Sequence, residues 1–128
     1  MDKIEVRTDK APLPVGPYSQ AVRAGNMVFI SGVLPMNIQT KTLINSPIKE
    51  AAVMIFSHLD NILKEAGLTK NNVVKSTIFM KDLGGFAEVN KVYADYFSDC
   101  KVMPARSTVE VARLPLDASV EMEFIAVG

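Results

Sequence analysis

The chain has 128 residues, a length that suits one domain with one hydrophobic core. Its 14 basic and 14 acidic side chains cancel, which argues against the strongly basic surface of a typical nucleic-acid-binding protein. A single cysteine, Cys100, excludes an internal disulfide, and a single histidine, His58, disfavours a metal centre. Since no apolar run would span a bilayer and residues 1–5 lack a signal-peptide core, we expect a cytoplasmic protein, or an organellar one after processing.

The N-terminal part predicts a strand, a rigid loop and a hairpin. Charged and apolar residues alternate over residues 3–7, as in a short strand, and prolines and a glycine then exclude regular structure over residues 8–17. Tyr18 follows, and it either covers the core or lines a pocket. Gly25-Asn26 joins two extended runs and predicts a β-hairpin. Ser31-Gly32 ends it, where the glycine either permits close approach of a ligand or marks a bulge.

Two helices are predicted, at residues 46–67 and 86–98. Ser46 is a suitable N-cap for the first, with Pro47 at the first helical position and Gly67 as its stop, after a loop at residues 34–43. The apolar stripe of this helix comprises Ile48, Ala52, Ile55, Leu59, Ile62, Leu63 and Ala66. His58 lies beside that stripe, where a structural or solvated role is expected. The second helix places Phe86, Val89, Tyr93 and Tyr96 or Phe97 on its buried side, with Asn90 off that stripe and available to a subunit contact or a ligand.

The remaining strands are predicted at residues 73–81, after Pro104, and at 119–127. Arg106 starts the second of these, and the alternation of the third puts Glu121 and Glu123 on one face. Arginine binds a carboxylate or phosphate through two parallel hydrogen bonds, and a nearby glutamate can act as a general base. On residue types alone, a surface ion pair and a solvated glutamate face are the favoured interpretation. The element order fits α+β or α/β equally well.

Five short motifs resemble the signature of the Rid family, also called the YjgF or reactive-intermediate-deaminase family. They are Gly16–Ala21, Ser31-Gly32, Lys81-Asp82-Leu83 with Phe86 and Asn90, Pro104–Ser107 through Leu114-Pro115, and Glu121-Met122-Glu123. The resemblance covers nearly the whole chain. It implies one α+β domain over residues 1–128, chorismate-mutase-like, with a mixed sheet packed by two helices and a homotrimer with clefts between subunits. It also implies hydrolysis of enamines and imines released by pyridoxal-phosphate enzymes.

On that resemblance, Arg106 would hold the carboxylate of a substrate such as 2-aminoacrylate or its tautomer 2-iminopropionate. Glu121, or Glu123 on the same face, would activate a water that attacks the imine carbon and leaves ammonia and a 2-keto acid. The expected substrate-binding residues are Tyr18, Ser31, Gly32, Phe86, Asn90, Arg106 and Thr108. We expect no metal and no organic cofactor, because the imine carbon is already electrophilic. Thr108 stands where many family members carry cysteine, which excludes a thiol nucleophile at this position and leaves the substrate preference open.

Two other functions remain open at this point. One is a non-catalytic trimer that binds a small molecule or a protein, which differs from an enzyme in that its ligand is not consumed. The other is an endoribonuclease or translation inhibitor, which the zero net charge and the single histidine disfavour.

Overall fold

The computed structural model describes residues 2–128, and a six-stranded sheet is its central element. The strand order is β1-β2-β3-β8-β6-β7, in which only β6 and β7 are parallel neighbours. The strands are β1 Lys3–Val6, β2 Ala21–Ala24, β3 Met27–Val33, β4 Met36–Asn37, β5 Thr42–Leu43, β6 Val73–Met80, β7 Ala105–Glu110 and β8 Val120–Val127, of which β4 and β5 form a separate small hairpin. A mostly antiparallel sheet with helices on one face is α+β, as the family resemblance implied.

The two helices are α1, Ile48–Glu65, and α2, Phe86–Tyr96. Helix α1 starts one residue later than a Ser46 cap with Pro47 as the first helical residue would require, so that prediction was wrong. Pro47 occupies the N-cap position with an extended ψ of 151°, and its carbonyl accepts the first bonds of the helix from the backbone N–H groups of Glu50 and Ala51. Three single 3₁₀ turns lie at Lys70–Asn72, Leu83–Gly85 and Pro115–Asp117.

The hydrophobic core lies between the helices and one face of the sheet. The predicted stripe of α1 is confirmed, with its end residues Ile48 and Ala66 only partly buried. The period-2 pattern of β8 is confirmed as well, since Val120, Met122 and Phe124 are buried on the helix side. Burial of these apolar side chains is the main stabilising term of the fold.

The opposite face of the sheet, which we call the open face, has no covering element within residues 2–128. Glu121 and Glu123 lie on it, as predicted, among apolar side chains. Phe29 is 42% exposed there and pairs with Ile125 across the β3–β8 ladder. An uncovered sheet face with large apolar side chains is typical of an interface.

Two chain segments differ from their predictions. The loop predicted at residues 34–43 contains the β4–β5 hairpin, which is too short to show a period-2 pattern. The alternation that follows Pro104 continues to Ala112, whereas β7 ends at Glu110, and the N–H of Val111 makes one last bond to the Met80 carbonyl of β6. Among residues 2–128, no helix is both long enough and apolar enough to cross a membrane.

Candidate functional site

Arg106 lies on β7, the edge strand, and its side chain is on the helix side of the sheet. The parallel register pairs it with Ser76, which is fully buried on that side. Its Nη1 donates a 2.7 Å hydrogen bond to Oδ1 of Asn90 on α2. The guanidinium carbon lies 5.3 Å from the ring centre of Phe86 and 4.8 Å from that of Tyr93. Helix α2 therefore orients the guanidinium, whose remaining N–H donors suit an anion.

Thr108 extends the same site along β7. It lies two residues after Arg106, on the same face, and pairs with the buried Ile78 of β6. Its Oγ1 is buried and has no hydrogen-bond partner among the described residues. Since buried polar atoms are almost always hydrogen-bonded, an unpartnered hydroxyl beside a cation indicates a position for a polar atom of a ligand. We call Arg106, Asn90, Phe86, Tyr93 and Thr108 the arginine half-site.

Glu121 is the centre of a second cluster, on the open face. Its carboxylate packs directly on Gly32, where a Cβ would lie 2.6 Å from Oε2 of the glutamate. The approach is possible because β3 has an irregularity in its pairing with β8 between Ile30 and Val33 and carries a glycine there. Burial raises the pKa of the Glu121 carboxyl above its ordinary value, and the neighbouring Glu123 carboxylate raises it further. A carboxyl with a raised pKa is a candidate for general acid–base chemistry.

Tyr18 and Ser31 lie beside Gly32. Tyr18 lines a small cavity together with Gly32, and its hydroxyl accepts a 3.4 Å hydrogen bond from the backbone N–H of Val15. The Ser31 hydroxyl donates a 2.6 Å bond to the carbonyl of Ser19, which holds the loop that presents Tyr18. We call Glu121, Gly32, Ser31 and Tyr18 the glutamate half-site.

The two half-sites of one chain extend from opposite faces of the sheet. Strand β6 lies between β7 and β8, with Ser76 opposite Arg106 and Phe79 opposite Glu121. Ser76 and Phe79 are three residues apart on one strand, so their side chains, and those of their partners, point to opposite faces. Arg106 and Glu121 of one chain therefore do not face the same site.

The structure groups all the expected site residues into these two clusters, and it adds Tyr93. The sequence assigned Tyr93 only to the buried stripe of α2. It follows Asn90 by three residues, and this helical spacing was the signal that the two side chains share a face. The Tyr93 hydroxyl also donates a 3.0 Å bond to Oγ of the buried Ser76, which fixes the ring beneath Arg106.

His58 and Cys100 lie away from both half-sites. The buried His58 ring makes a 2.6 Å hydrogen bond through Nε2 with the carbonyl of Met36, so its role is structural, one of the two roles expected. Burial lowers its pKa, against the opposing effect of that hydrogen bond. Cys100 is a partly buried free thiol at the edge of the core. Over residues 2–128, no group of three histidine, cysteine, aspartate or glutamate side chains is arranged to hold a metal ion.

Comparison with known proteins gives matches along nearly the whole chain. The family model described as Endoribonuclease L-PSP matches residues 8–128. A RutC family protein of Aquifex aeolicus is 50% identical over 123 residues, which make up 96% of this chain and 98% of that protein. The chloroplastic Reactive Intermediate Deaminase A of Arabidopsis thaliana is 44% identical over 121 residues, which are 94% of this chain and 64% of that protein.

A solved structure shows the same architecture. The crystal structure of E. coli TdcF with bound serine superposes with a TM-score of 0.92 at 38% sequence identity, covering 98% of both chains. At this identity and coverage, the likeness extends to the sequence as well as to the backbone.

Proposed function

This chain belongs to the Rid family, whose model carries the Endoribonuclease L-PSP description, and we propose that it hydrolyses reactive 2-imino and 2-enamino acids to 2-keto acids and ammonia. The observation that carries the proposal is the arginine half-site. It presents a fixed guanidinium and an unpartnered hydroxyl side by side, which suits a small molecule with a carboxylate next to a polar group. The name of the Arabidopsis relative and the serine bound to the E. coli relative support this substrate class.

In the proposed reaction, Arg106 binds the substrate carboxylate through two parallel hydrogen bonds. A charge-assisted contact of this kind contributes about 1.5–3 kcal/mol. The larger gain comes from holding the imine carbon in line with a water molecule. The Thr108 hydroxyl bonds the substrate nitrogen, which satisfies its buried oxygen.

Glu121 takes a proton from the attacking water, whose oxygen forms a bond to the imine carbon. That proton passes to the nitrogen, which gives a carbinolamine. The proton of the new hydroxyl then also moves to the nitrogen, the carbon–nitrogen bond breaks, and ammonia leaves as the carbonyl of the 2-keto acid forms. The raised pKa of Glu121 allows the carboxyl both to accept and to return this proton. Its position on Gly32 favours Glu121 over the exposed Glu123 for this role.

A complete site requires two copies of the chain, because Arg106 and Glu121 of one chain lie on opposite faces. We propose that the open face of each subunit packs against the next in a homotrimer, so that one subunit supplies the arginine half-site and its neighbour the glutamate half-site. Large apolar side chains on the open face, such as the 42% exposed Phe29 and Val109, support such an interface. We place the assembly in the cytoplasm, where the free thiol of Cys100 stays reduced.

The test is release of 2-keto acid from an imine generated in place by an amino-acid oxidase. We expect the wild-type protein to accelerate release, and Arg106→Ala to lose about 10- to 100-fold in kcat/KM, in line with one lost charge-assisted contact. Arg113→Ala is the matched control, since Arg113 is an exposed arginine and should keep wild-type rates. A wild-type protein that accelerates no imine would contradict the proposal.

The family description names a different activity, an endoribonuclease. RNA cleavage, or RNA affinity that falls steeply with salt, would favour that function over imine hydrolysis. Binding of keto acids without turnover would instead indicate a non-catalytic binding trimer. The zero net charge and the single histidine argue for imine hydrolysis against the ribonuclease.

A further inference from the structure

Two cavities meet beside the glutamate half-site. The smaller has a volume of about 40 Å³ and is lined by Gly32 and Tyr18, among others. The larger, of about 460 Å³, is lined by Arg7, Asp9 and Lys41, among others. Leu116 lines both, as do Pro12, Leu13, Val15 and Met36. These five residues therefore form the partition between a narrow space, lined by Tyr18 and Gly32 of the glutamate half-site, and a wider one beyond it.

Leu116 is unusual within that partition because of its backbone. Its φ of 56° and ψ of 24° are in the left-handed region, which disfavours leucine, and the next residue, Asp117, also has a positive φ of 58°. The turn is held by Asn45, whose side-chain amide donates to the Asp117 carbonyl at 3.2 Å, and by an ion pair of Lys81 with the Asp117 carboxylate.

Core packing does not account for this strained leucine. The side chain is 61% exposed, so burial contributes little that would offset the strain. Glycine or asparagine would adopt the same backbone with less strain. A strained residue at the wall of a cavity is more often explained by what the cavity binds.

We propose that Leu116 is a specificity-determining residue that limits the size of the substrate side chain. This inference rests on the proposed imine hydrolysis. With its imine carbon near Gly32, a 2-imino acid would direct its side chain towards the smaller cavity, whose volume of about 40 Å³ is far below the about 460 Å³ of the larger one. Leu116 keeps longer aliphatic side chains out of the larger cavity, so the protein selects imines with small side chains.

The experiment compares kcat/KM for the alanine-derived and the leucine-derived imine. We expect wild type to prefer the alanine-derived imine, and Leu116→Ala to raise the relative rate of the leucine-derived imine about tenfold or more, in line with pockets that discriminate by one or a few methylenes. Leu116→Gly should shift selectivity in the same way. Val53→Ala, which removes an exposed valine on the outer surface of α1, should leave selectivity unchanged.

Stability separates the two roles that Leu116 could have. Leu116→Asn relieves backbone strain and should therefore raise the melting temperature. If it does so, and if both Leu116→Asn and Leu116→Ala keep the wild-type selectivity, the inference is overturned. Failure of the proposed function is recognised separately, because wild type would then release no keto acid from either imine. In that case, calorimetric titration with pyruvate and 4-methyl-2-oxopentanoate tests whether Leu116 limits the size of the bound side chain. Weaker binding of the larger acid to wild type, relieved in Leu116→Ala, supports the size limit, whereas equal binding or none overturns it.

Discussion

The guanidinium of Arg106 is ordered before any substrate arrives. Asn90 accepts one of its hydrogen bonds at 2.7 Å, and the rings of Phe86 and Tyr93 lie against the guanidinium. Ordering a free arginine side chain costs up to about 2 kcal/mol, and a substrate that meets an ordered arginine avoids most of that cost. Asn90 is therefore a positioning residue for the proposed carboxylate contact.

Asn90→Ala should weaken substrate binding more than chemistry. We expect KM to rise about tenfold, because one charge-assisted hydrogen bond is worth about 1.5–3 kcal/mol, while kcat changes much less. Steady-state kinetics on the alanine-derived imine measure both constants, and Lys91→Ala, an exposed neighbour on α2, is the control. A fall in kcat at constant KM would instead place Asn90 in contact with the reacting atoms.

From the raised pKa of Glu121 we expect kcat/KM to fall at a higher pH than an ordinary glutamate base would give. Burial and the Glu123 carboxylate both disfavour its charged form, so its pKa is raised and the base is lost at a higher pH than for an ordinary glutamate. Glu123→Gln removes the second cause, so the pKa of Glu121 should fall and the acidic limb of the pH–rate profile should move to lower pH. The measurement is kcat/KM against pH, with Glu65→Gln at the exposed end of α1 as control. An unshifted limb would mean that another group limits the rate in acid.

At the scale of elements, local patterns predicted most of the fold. Helical and strand periodicities located α1, α2, β6 and β8 to within a few residues, because one face of each packs on the core. The order of the strands in the sheet could not be predicted from these local patterns. β7 and β8 are consecutive along the chain, yet β6 inserts between them through long-range pairing that no local pattern records.

Local patterns also failed to predict which side chains of β7 are buried and which are exposed. Hydrophobicity alone would bury Val109 and expose Arg106, whereas Val109 is 42% exposed and Arg106 is partly buried against α2. Residues of a binding site often break the hydrophobic pattern in this way, so Arg106 became a candidate through the motifs that resemble the Rid family and not through periodicity. The grouping into two half-sites required the sheet register.

The contact between β3 and β8 at Gly32 provides a test at the same scale. In Gly32→Ala the new Cβ would lie 2.6 Å from the Glu121 carboxylate, which must then move. Displacement of a catalytic group by about 1 Å costs about 100-fold, so we expect a loss of that size in kcat/KM. The melting temperature should change little, because the displaced atoms are the flexible end of a side chain.

A double-mutant cycle identifies the cause of that loss. If Gly32→Ala acts through Glu121, it should cost little further activity in a Glu121→Ala background. Additive losses in the double variant would show that Gly32 acts on the substrate directly and that the carboxylate tolerates the added methyl group.

At the scale of the whole molecule, each chain carries two incomplete sites on opposite faces of one sheet. Proteins that bind or transform ligands between subunits couple function to assembly in this way, and a cyclic arrangement lets each copy use both of its faces. If the proposed homotrimer forms, the proposed activity belongs to the assembly, and the apolar open face would link its stability to the same contact.

Mixed oligomers test this arrangement and count the subunits. Arg106→Ala and Glu121→Ala carry different tags, are co-expressed, and are purified on both tags, so that every assembly contains both chains. A site works only where an intact Arg106 meets an intact Glu121 of the next subunit. In any mixed trimer, one of the three sites meets that condition, so activity should recover to about a third of the wild-type activity. In a mixed cyclic dimer, one of two sites would meet it, and activity would recover to about a half.

The control is co-expression of each single variant with the double variant Arg106→Ala/Glu121→Ala, which supplies no complementary half-site and should stay inactive. If the mixed single variants also stay inactive although both tags are recovered, the arginine and glutamate do not meet across subunits. The fraction of wild-type activity that is recovered therefore shows whether the half-sites combine and how many subunits form the ring. KM distinguishes a few complete sites from partial activity at every site. Sites completed between subunits should show the wild-type KM with only kcat reduced.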